Sequence, residues 1–132
     1  MGYTHYFNVH TYKLTNDKLI ELRGKLDKVL KKYSYLIQYE TDIDQSPDLY
    51  MDWRDGIVGV RFNGIGSEGH EAFNINTKDK ASFCKTVRKP YDIVVCECLL
   101  LYAYHGMLTI RSDGIEEVVL TIKNNEKAIH II

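Results

Sequence analysis

The apolar run at 93–104, "IVVCECLLLYAY", constrains the fold more than any other feature of this sequence. Coiled as a helix, it is apolar on nearly every side, so other parts of the chain must surround it. Pro90 suits the first turn of such a helix, and Asp92 places a negative charge where the helix dipole favours it. Gly106 is a typical stop signal. We therefore predict a central buried helix that runs to about His105, whose side chain interacts with the dipole.

Segments with two different periodicities supply the layers around this helix. Residues 2–12 are rich in aromatic and β-branched side chains and predict a strand with two distinct faces. Leucines spaced by three and four predict an amphipathic helix over about 16–33, capped by Thr15 or Asn16. Residues 56–64 and 69–76 alternate and predict two antiparallel strands.

The glycines of "GIGSEG" at 64–69 match the spacing of a dinucleotide-binding loop, but a strand-like segment follows where that loop needs a helix. We interpret them as hairpin-turn residues. Residues 107–112 predict a further strand, and 77–82 a polar loop. Residues 115–124 stay undecided between helix and strand, and the tail at 128–132 predicts a strand. The whole predicts one α+β domain over residues 1–132, a mostly antiparallel sheet packed against two or three helices.

Composition narrows the functional classes. The 132 residues are 45% hydrophobic and 27% charged, which is typical of a soluble globular domain. Lysine and arginine total 17 against 18 acids, giving a net charge of -1, so we do not expect nucleic acid as a partner. Three cysteines, an odd number, favour free thiols and a reducing cytosol. No signal peptide or membrane span is expected, and whether the chain forms a homo-oligomer stays open.

The basic stretch "FCKTVRKPYD" at 83–92 predicts an anionic partner. Amides at a helix start carry partial positive charge and bind anions, and cations placed just before them deepen that potential. An arginine fork grips a phosphate with two parallel hydrogen bonds, and a lysine adds a movable charge. The alternative is that these cations pair with nearby acids on a solvated loop.

Four strings, "GYTHY", "FNG" followed by "HEAF", "FCKTVRKPYD" and "SDG", occur in this order between Gly2 and Gly114. In this the chain resembles a family of small uncharacterised phage and prophage proteins. The resemblance implies one shared site and a phage-encoded protein of the host cytoplasm. Ala72 departs from the expected "HETF" and lacks its hydroxyl. The site residues that the resemblance implies are Thr4, His5, Tyr6, Asn63, His70, Glu71, Lys85, Thr86, Arg88, Lys89, Tyr91 and Asp92.

Within that set, His5, His70 and Glu71 are candidates for acid–base chemistry, because histidine titrates near working pH. No cofactor is expected and no metal site is predicted, since the cysteines lack the spacing of zinc ligands. Cys84 is either a thiolate activated by nearby cations or, as we prefer, a packed core residue.

We therefore predict a phage-type protein that holds a phosphate-bearing, nucleotide-like molecule in a basic pocket and sequesters a host defence signal. Tyr3, His5, Tyr6, His70 or Glu71 would reach the same pocket from the sheet. Two alternatives stay open. One is a small phosphoesterase-like enzyme that uses His5 or His70 and stabilises charge with Arg88. The other is an inhibitor that binds a host protein through its acidic segment at 40–55.

Overall fold

A computed structural model describes residues 4–9, 14–39, 47–54, 56–76 and 81–112. The strands pair antiparallel, and the predicted α+β class is confirmed. Tyr3, the segment at 115–124 and the tail at 128–132 lie outside the described residues. In chain order the elements are β1 (Thr4–Val9), α1 (Asn16–Lys32), β2 (Ile37–Gln38), β3 (Asp48–Asp52), β4 (Ile57–Gly64), β5 (Phe73–Ile75), β6 (Ala81–Lys85), α2 (Asp92–Tyr104) and β7 (Leu108–Ser112).

The described strands form two sheets. One has the order β6-β1-β7, and in the other β4 pairs with β2, β3 and β5. The predicted antiparallel pairing of the strands on either side of "GIGSEG" is confirmed as β4 with β5. A 3₁₀ turn at Gly66–Glu68 joins them, and Gly66 has a φ of 54°, a conformation that favours glycine. A Cβ on Gly64 would lie 2.3 Å from the Glu68 carbonyl oxygen, so that glycine permits a close approach.

Strand β1 has the two faces that its alternation predicts. His5 and Phe7 are buried on the inner face, whereas Tyr6 and Asn8 are exposed on the outer face. Burial of alternate side chains fixes the register, because a shift by one residue would exchange the two faces. Neighbouring side chains of this strand therefore lie on opposite faces of the sheet.

Helix α1 covers one side of the core, as its leucine spacing predicts. Thr15 caps it, and its hydroxyl oxygen accepts from the Lys18 amide at 3.4 Å. The helix packs against α2 and contacts β3 and β4. Its fully or nearly fully buried stripe consists of Leu19, Leu22, Leu26 and Leu30.

Helix α2 is the central buried helix. It begins at Asp92, two residues after Pro90, and stops before Gly106, whose φ is 76°. Tyr102 is fully buried, and its hydroxyl donates to the Val58 carbonyl of β4. Within the described residues, no helix has both the length and the hydropathy to cross a bilayer. The other side chains of α2 that are fully buried are Val94, Val95, Cys96, Cys98, Leu99 and Leu100.

The loop predicted at 77–82 is wrong for Ala81 and Ser82, which belong to β6. This strand also contains Lys85, so the first cation of the basic stretch projects from a sheet and not from a loop. The cause is pairing with β1, which matches Thr4 with Lys85 and runs to Ala81. Tertiary pairing overrides weak local preference at such an edge strand.

All three cysteines are free and buried, as predicted.

Candidate functional site

The buried polar cluster, formed by His5, Thr86, Asp92 and Cys96, lies between β1 and the start of α2. Nε2 of His5 is 2.6 Å from Oδ1 of Asp92, and the Thr86 hydroxyl donates to the same oxygen at 2.6 Å. His5 and Thr86 are fully buried, and the Asp92 side chain is 17% exposed. The Thr86 hydroxyl therefore binds Asp92. The Asp92 carboxylate binds two buried side chains in addition to placing a negative charge at the start of α2.

Cys96 completes this cluster from the next turn of α2. Its Sγ lies 3.7 Å from Nε2 of His5 and 3.7 Å from Oδ2 of Asp92. Burial first, and the Asp92 carboxylate second, raise the pKa of the Cys96 thiol. The arrangement differs from a nucleophilic triad, in which the acid and the nucleophile use different nitrogens of the histidine. Here sulfur and carboxylate approach the same nitrogen.

The turn from Thr86 to Lys89 is strained. The Lys89 amide donates to the Thr86 carbonyl at 3.0 Å, while Val87 and Arg88 between them have φ values of 47° and 60°. Positive φ is costly for a β-branched residue such as valine, at roughly 1–3 kcal/mol. Surrounding contacts must hold the turn, and the Thr86–Asp92 hydrogen bond is one of them. Arg88 is exposed on this turn.

The start of α2 offers fewer amides to an anion than the sequence predicts. The Asp92 amide donates to the Lys89 carbonyl at 2.9 Å, and the Val94 and Val95 amides both donate to the Tyr91 carbonyl. Tyr91 is fully buried, and its hydroxyl donates to the Glu71 carbonyl at 2.7 Å. Tyr91 thus ties the helix start to the segment after β4.

The segment 63–71 is held by its own predicted site residues. Oδ1 of Asn63 accepts from the Gly64 amide at 2.8 Å and from the His70 amide at 3.0 Å, and its Nδ2 donates to the His70 carbonyl. Oε1 of Glu71 accepts from the Lys85 amide at 2.7 Å. Asn63 and Glu71 therefore hold backbone groups in place through their side chains, whereas the His70 side chain is exposed.

The two lysines of the basic stretch, Lys85 and Lys89, have different surroundings. Nζ of Lys89 donates to the Ser67 carbonyl at 3.4 Å. Lys85 projects from β6 opposite the buried Thr4.

The Cys84 thiol lies 3.5 Å from the Glu71 carbonyl, and burial, ahead of the Glu71 and Asp92 carboxylates, raises its pKa to about 12. That shift is opposite to what a reactive thiolate needs.

The outer row, formed by Phe83, Tyr6 and Arg111, crosses the three-stranded sheet on its other face. Tyr6 pairs with Phe83 on one side and with Arg111 on the other. The two rings are 6.3 Å apart at 40°, and the Arg111 guanidinium carbon lies 5.2 Å from the Tyr6 ring centre. The row borders a cavity of about 530 Å³, which Asn8 and Thr109 also line.

Of the predicted site residues, the structure brings His5, Thr86 and Asp92 together inside the protein. It places Tyr6 on the opposite face of β1, with the side chain 44% exposed. Sequence reasoning missed Phe83 and Arg111. Alternation of β1 identifies the face of Tyr6, but only the strand order shows which neighbours share it.

No family model, curated protein or solved structure matches this chain. The resemblance to phage and prophage proteins stays a prediction.

Proposed function

We propose that this protein binds a phosphate-bearing small molecule of the nucleotide class on the outer face of the β6-β1-β7 sheet. The observation that carries the proposal is the outer row, in which two exposed aromatic rings and a guanidinium stand side by side along a cavity. A nucleotide presents the matching groups, a flat base and an anion.

The aromatic part of the row suits a base. Phe83 is 55% exposed and Tyr6 is 44% exposed, although folding normally removes such surface from water. Contiguous exposed apolar surface marks binding sites in monomeric proteins. Stacking of a base on an aromatic side chain contributes about 1–3 kcal/mol. Stacking on these two rings would therefore contribute to affinity for a base without any hydrogen bond to it.

The cations of the same face suit a phosphate. Arg111 belongs to the outer row, and Lys85 lies two residues beyond Phe83 on β6, so alternation puts it on that face. Arg88 follows in the strained turn directly after β6 and is exposed. Lys85 on β6 and Arg111 on β7 thus lie on opposite sides of Tyr6 and flank the aromatic rings. An arginine fork and a lysine ammonium are both groups that recognise phosphate. Of the predicted ligand-binding residues, Tyr6 lines the cavity, and Lys85 and Arg88 follow Phe83 along the chain.

The size and chemistry of the cavity favour capture over catalysis. A volume of about 530 Å³ falls within the roughly 300–1,000 Å³ of small-molecule sites. The described residues that line it include no histidine, cysteine or carboxylate, so they supply binding groups but lack the side chains that most often act as general acid or base. The net charge of -1 gives no electrostatic reason to expect a long nucleic acid.

A calorimetric and thermal-shift screen against mono-, di- and cyclic nucleotides and ADP-ribose derivatives tests the proposal. We expect Phe83→Ala and Arg111→Ala each to weaken binding ten- to a hundredfold, because each removes about 1.5–3 kcal/mol of contact. Arg111→Lys should recover part of the loss, since it keeps charge without the fork. Tyr35→Ala is the matched control, because Tyr35 is 70% exposed on the turn after α1.

Two results would contradict the proposal. One is a panel in which no phosphorylated ligand stabilises the wild-type protein. The other is binding that Tyr35→Ala and Phe83→Ala affect equally. Chromatography of the bound nucleotide after incubation separates the alternatives: an intact ligand supports capture, whereas turnover supports the phosphoesterase. Arg88→Ala, measured alongside, tests whether the turn shares the phosphate.

A further inference from the structure

We propose that His5, Asp92 and Cys96 bind a divalent cation of the zinc type in the buried polar cluster. One ligand atom from each residue, a ring nitrogen, a carboxylate oxygen and the sulfur, lies within 4.8 Å of the other two. This inference is independent of the nucleotide proposal, because the cluster lies on the inner side of β1, away from the outer row.

The three donors lie close together around a common centre. Nε2 of His5 is approached by Oδ1 of Asp92 at 2.6 Å and by Sγ of Cys96 at 3.7 Å. The Cys96 thiol donates to Oδ2 of Asp92 at 3.7 Å, so the nitrogen, the carboxylate and the sulfur face one another across exchangeable protons. A cation between them would contact all three donors.

The distances between the donor atoms are close to those of a zinc site. Bond lengths of about 2.0–2.3 Å in a tetrahedral zinc site place neighbouring ligand atoms roughly 3.3–3.7 Å apart. The two sulfur distances in the cluster, both 3.7 Å, match this spacing. The His5–Asp92 distance of 2.6 Å is that of a hydrogen bond. The Asp92 oxygen must therefore move away from Nε2 of His5 by a fraction of an ångström when a cation replaces the proton between these two atoms.

Two secondary-structure elements, α2 and β1, position the three donors. Asp92 and Cys96 are four residues apart on α2 and share one face of that helix, the spacing that helical metal-ligand pairs use. His5 reaches them from the inner face of β1. The Thr86 hydroxyl donates to Oδ1 of Asp92, a supporting contact of the kind that orients metal ligands. The partial exposure of Asp92 provides an entry path.

The chemistry balances without an external reagent. The cation forms a bond to sulfur, and the thiol proton of Cys96 leaves to solvent. The proton between Nε2 of His5 and Asp92 shifts to Nδ1 of the ring, so His5 stays neutral and each bound ion releases one proton in total. Neutral His5 donates its Nε2 lone pair, and Asp92 donates a carboxylate oxygen. Three protein ligands leave a fourth position for water, as in zinc sites that keep an open position.

Titration of the metal-free, tag-free protein with Co²⁺ tests the inference. Cobalt reports a thiolate ligand by a charge-transfer band in the near ultraviolet and tetrahedral geometry by intense visible bands. We expect both at one equivalent, and we expect Zn²⁺ to remove them. Cys96→Ser should abolish the thiolate band and weaken Co²⁺ binding at least tenfold. Cys98→Ser, its matched control two residues along α2, should leave both unchanged.

Absence of the bands in the wild type, or their persistence in Cys96→Ser, would overturn the inference. X-ray absorption of the zinc-loaded wild-type protein gives a readout that depends on no variant. One sulfur neighbour with nitrogen and oxygen supports the site, and none or more than one sulfur refutes it.

Discussion

Replacing Asp92 by alanine separates two roles that this carboxylate has in the structure. The change removes the acceptor of two short hydrogen bonds, which the fully buried Thr86 hydroxyl and the fully buried His5 ring donate. A buried polar group that loses its partner costs about 1–3 kcal/mol. Two such groups give roughly 2–6 kcal/mol, and since Asp92 is partly exposed, water reaches the gap and the lower half of that range applies.

Asp17→Ala is the matched control, because Asp17 occupies the first turn of α1 but is exposed. Loss of the dipole interaction alone costs about 0.3–1 kcal/mol. Urea unfolding followed by circular dichroism at neutral pH gives both values. We expect Asp92→Ala to lower the free energy of unfolding by at least about 1.5 kcal/mol more than Asp17→Ala does. Equal losses would show that Asp92 acts on the dipole alone and that the buried polar cluster does not stabilise the fold.

Three further changes test other contacts. Val87→Gly should raise the free energy of unfolding by up to about 2 kcal/mol, because it removes positive-φ strain worth more than the entropy that glycine adds; a clear loss in urea unfolding would refute the strain. The raised pKa of Cys84 keeps its thiol protonated in the folded protein while the unfolded thiol ionises above pH 9.0. Its contribution to stability, complete below pH 9.0, should therefore fall as pH rises towards about 12, by at most about 1.4 kcal/mol per pH unit; a Cys84→Ala protein with the same slope would contradict this. Tyr91→Phe should lower the free energy of unfolding by about 1 kcal/mol through the lost bond to Glu71 and leave nucleotide affinity unchanged; a tenfold affinity loss would place Tyr91 in the binding site.

The elements that the sequence predicts well are those whose pattern is set by burial. Helix α2 is apolar all round and is the centre of the core, and α1 carries its leucines on one side. In β1 the alternation of buried and exposed residues is visible directly. Strand β6 was not predicted because its sequence, "ASFCK", has weak strand character. The segment becomes a strand because it pairs with β1.

The candidate sites were harder to predict than the elements, because each joins distant segments. Thr86 and Asp92 are close in sequence, but their contact with His5 depends on how β1 lies over the start of α2. The outer row likewise depends on strand order, which places Phe83 and Arg111 on either side of Tyr6. Local patterns identify the faces of such strands and do not identify their neighbours.

The central claim is that a nucleotide binds across the outer row, and residue-resolved NMR tests it most directly. Uniformly ¹⁵N-labelled protein is titrated with the nucleotide that gives the largest thermal shift, and amide chemical shifts are followed. We predict saturable changes concentrated at Tyr6, Phe83, Lys85 and Arg111, which Phe83→Ala reduces. Changes confined to the groove between α1 and β3, where Ile20 and Trp53 are exposed, or no saturable change at all, would contradict the account.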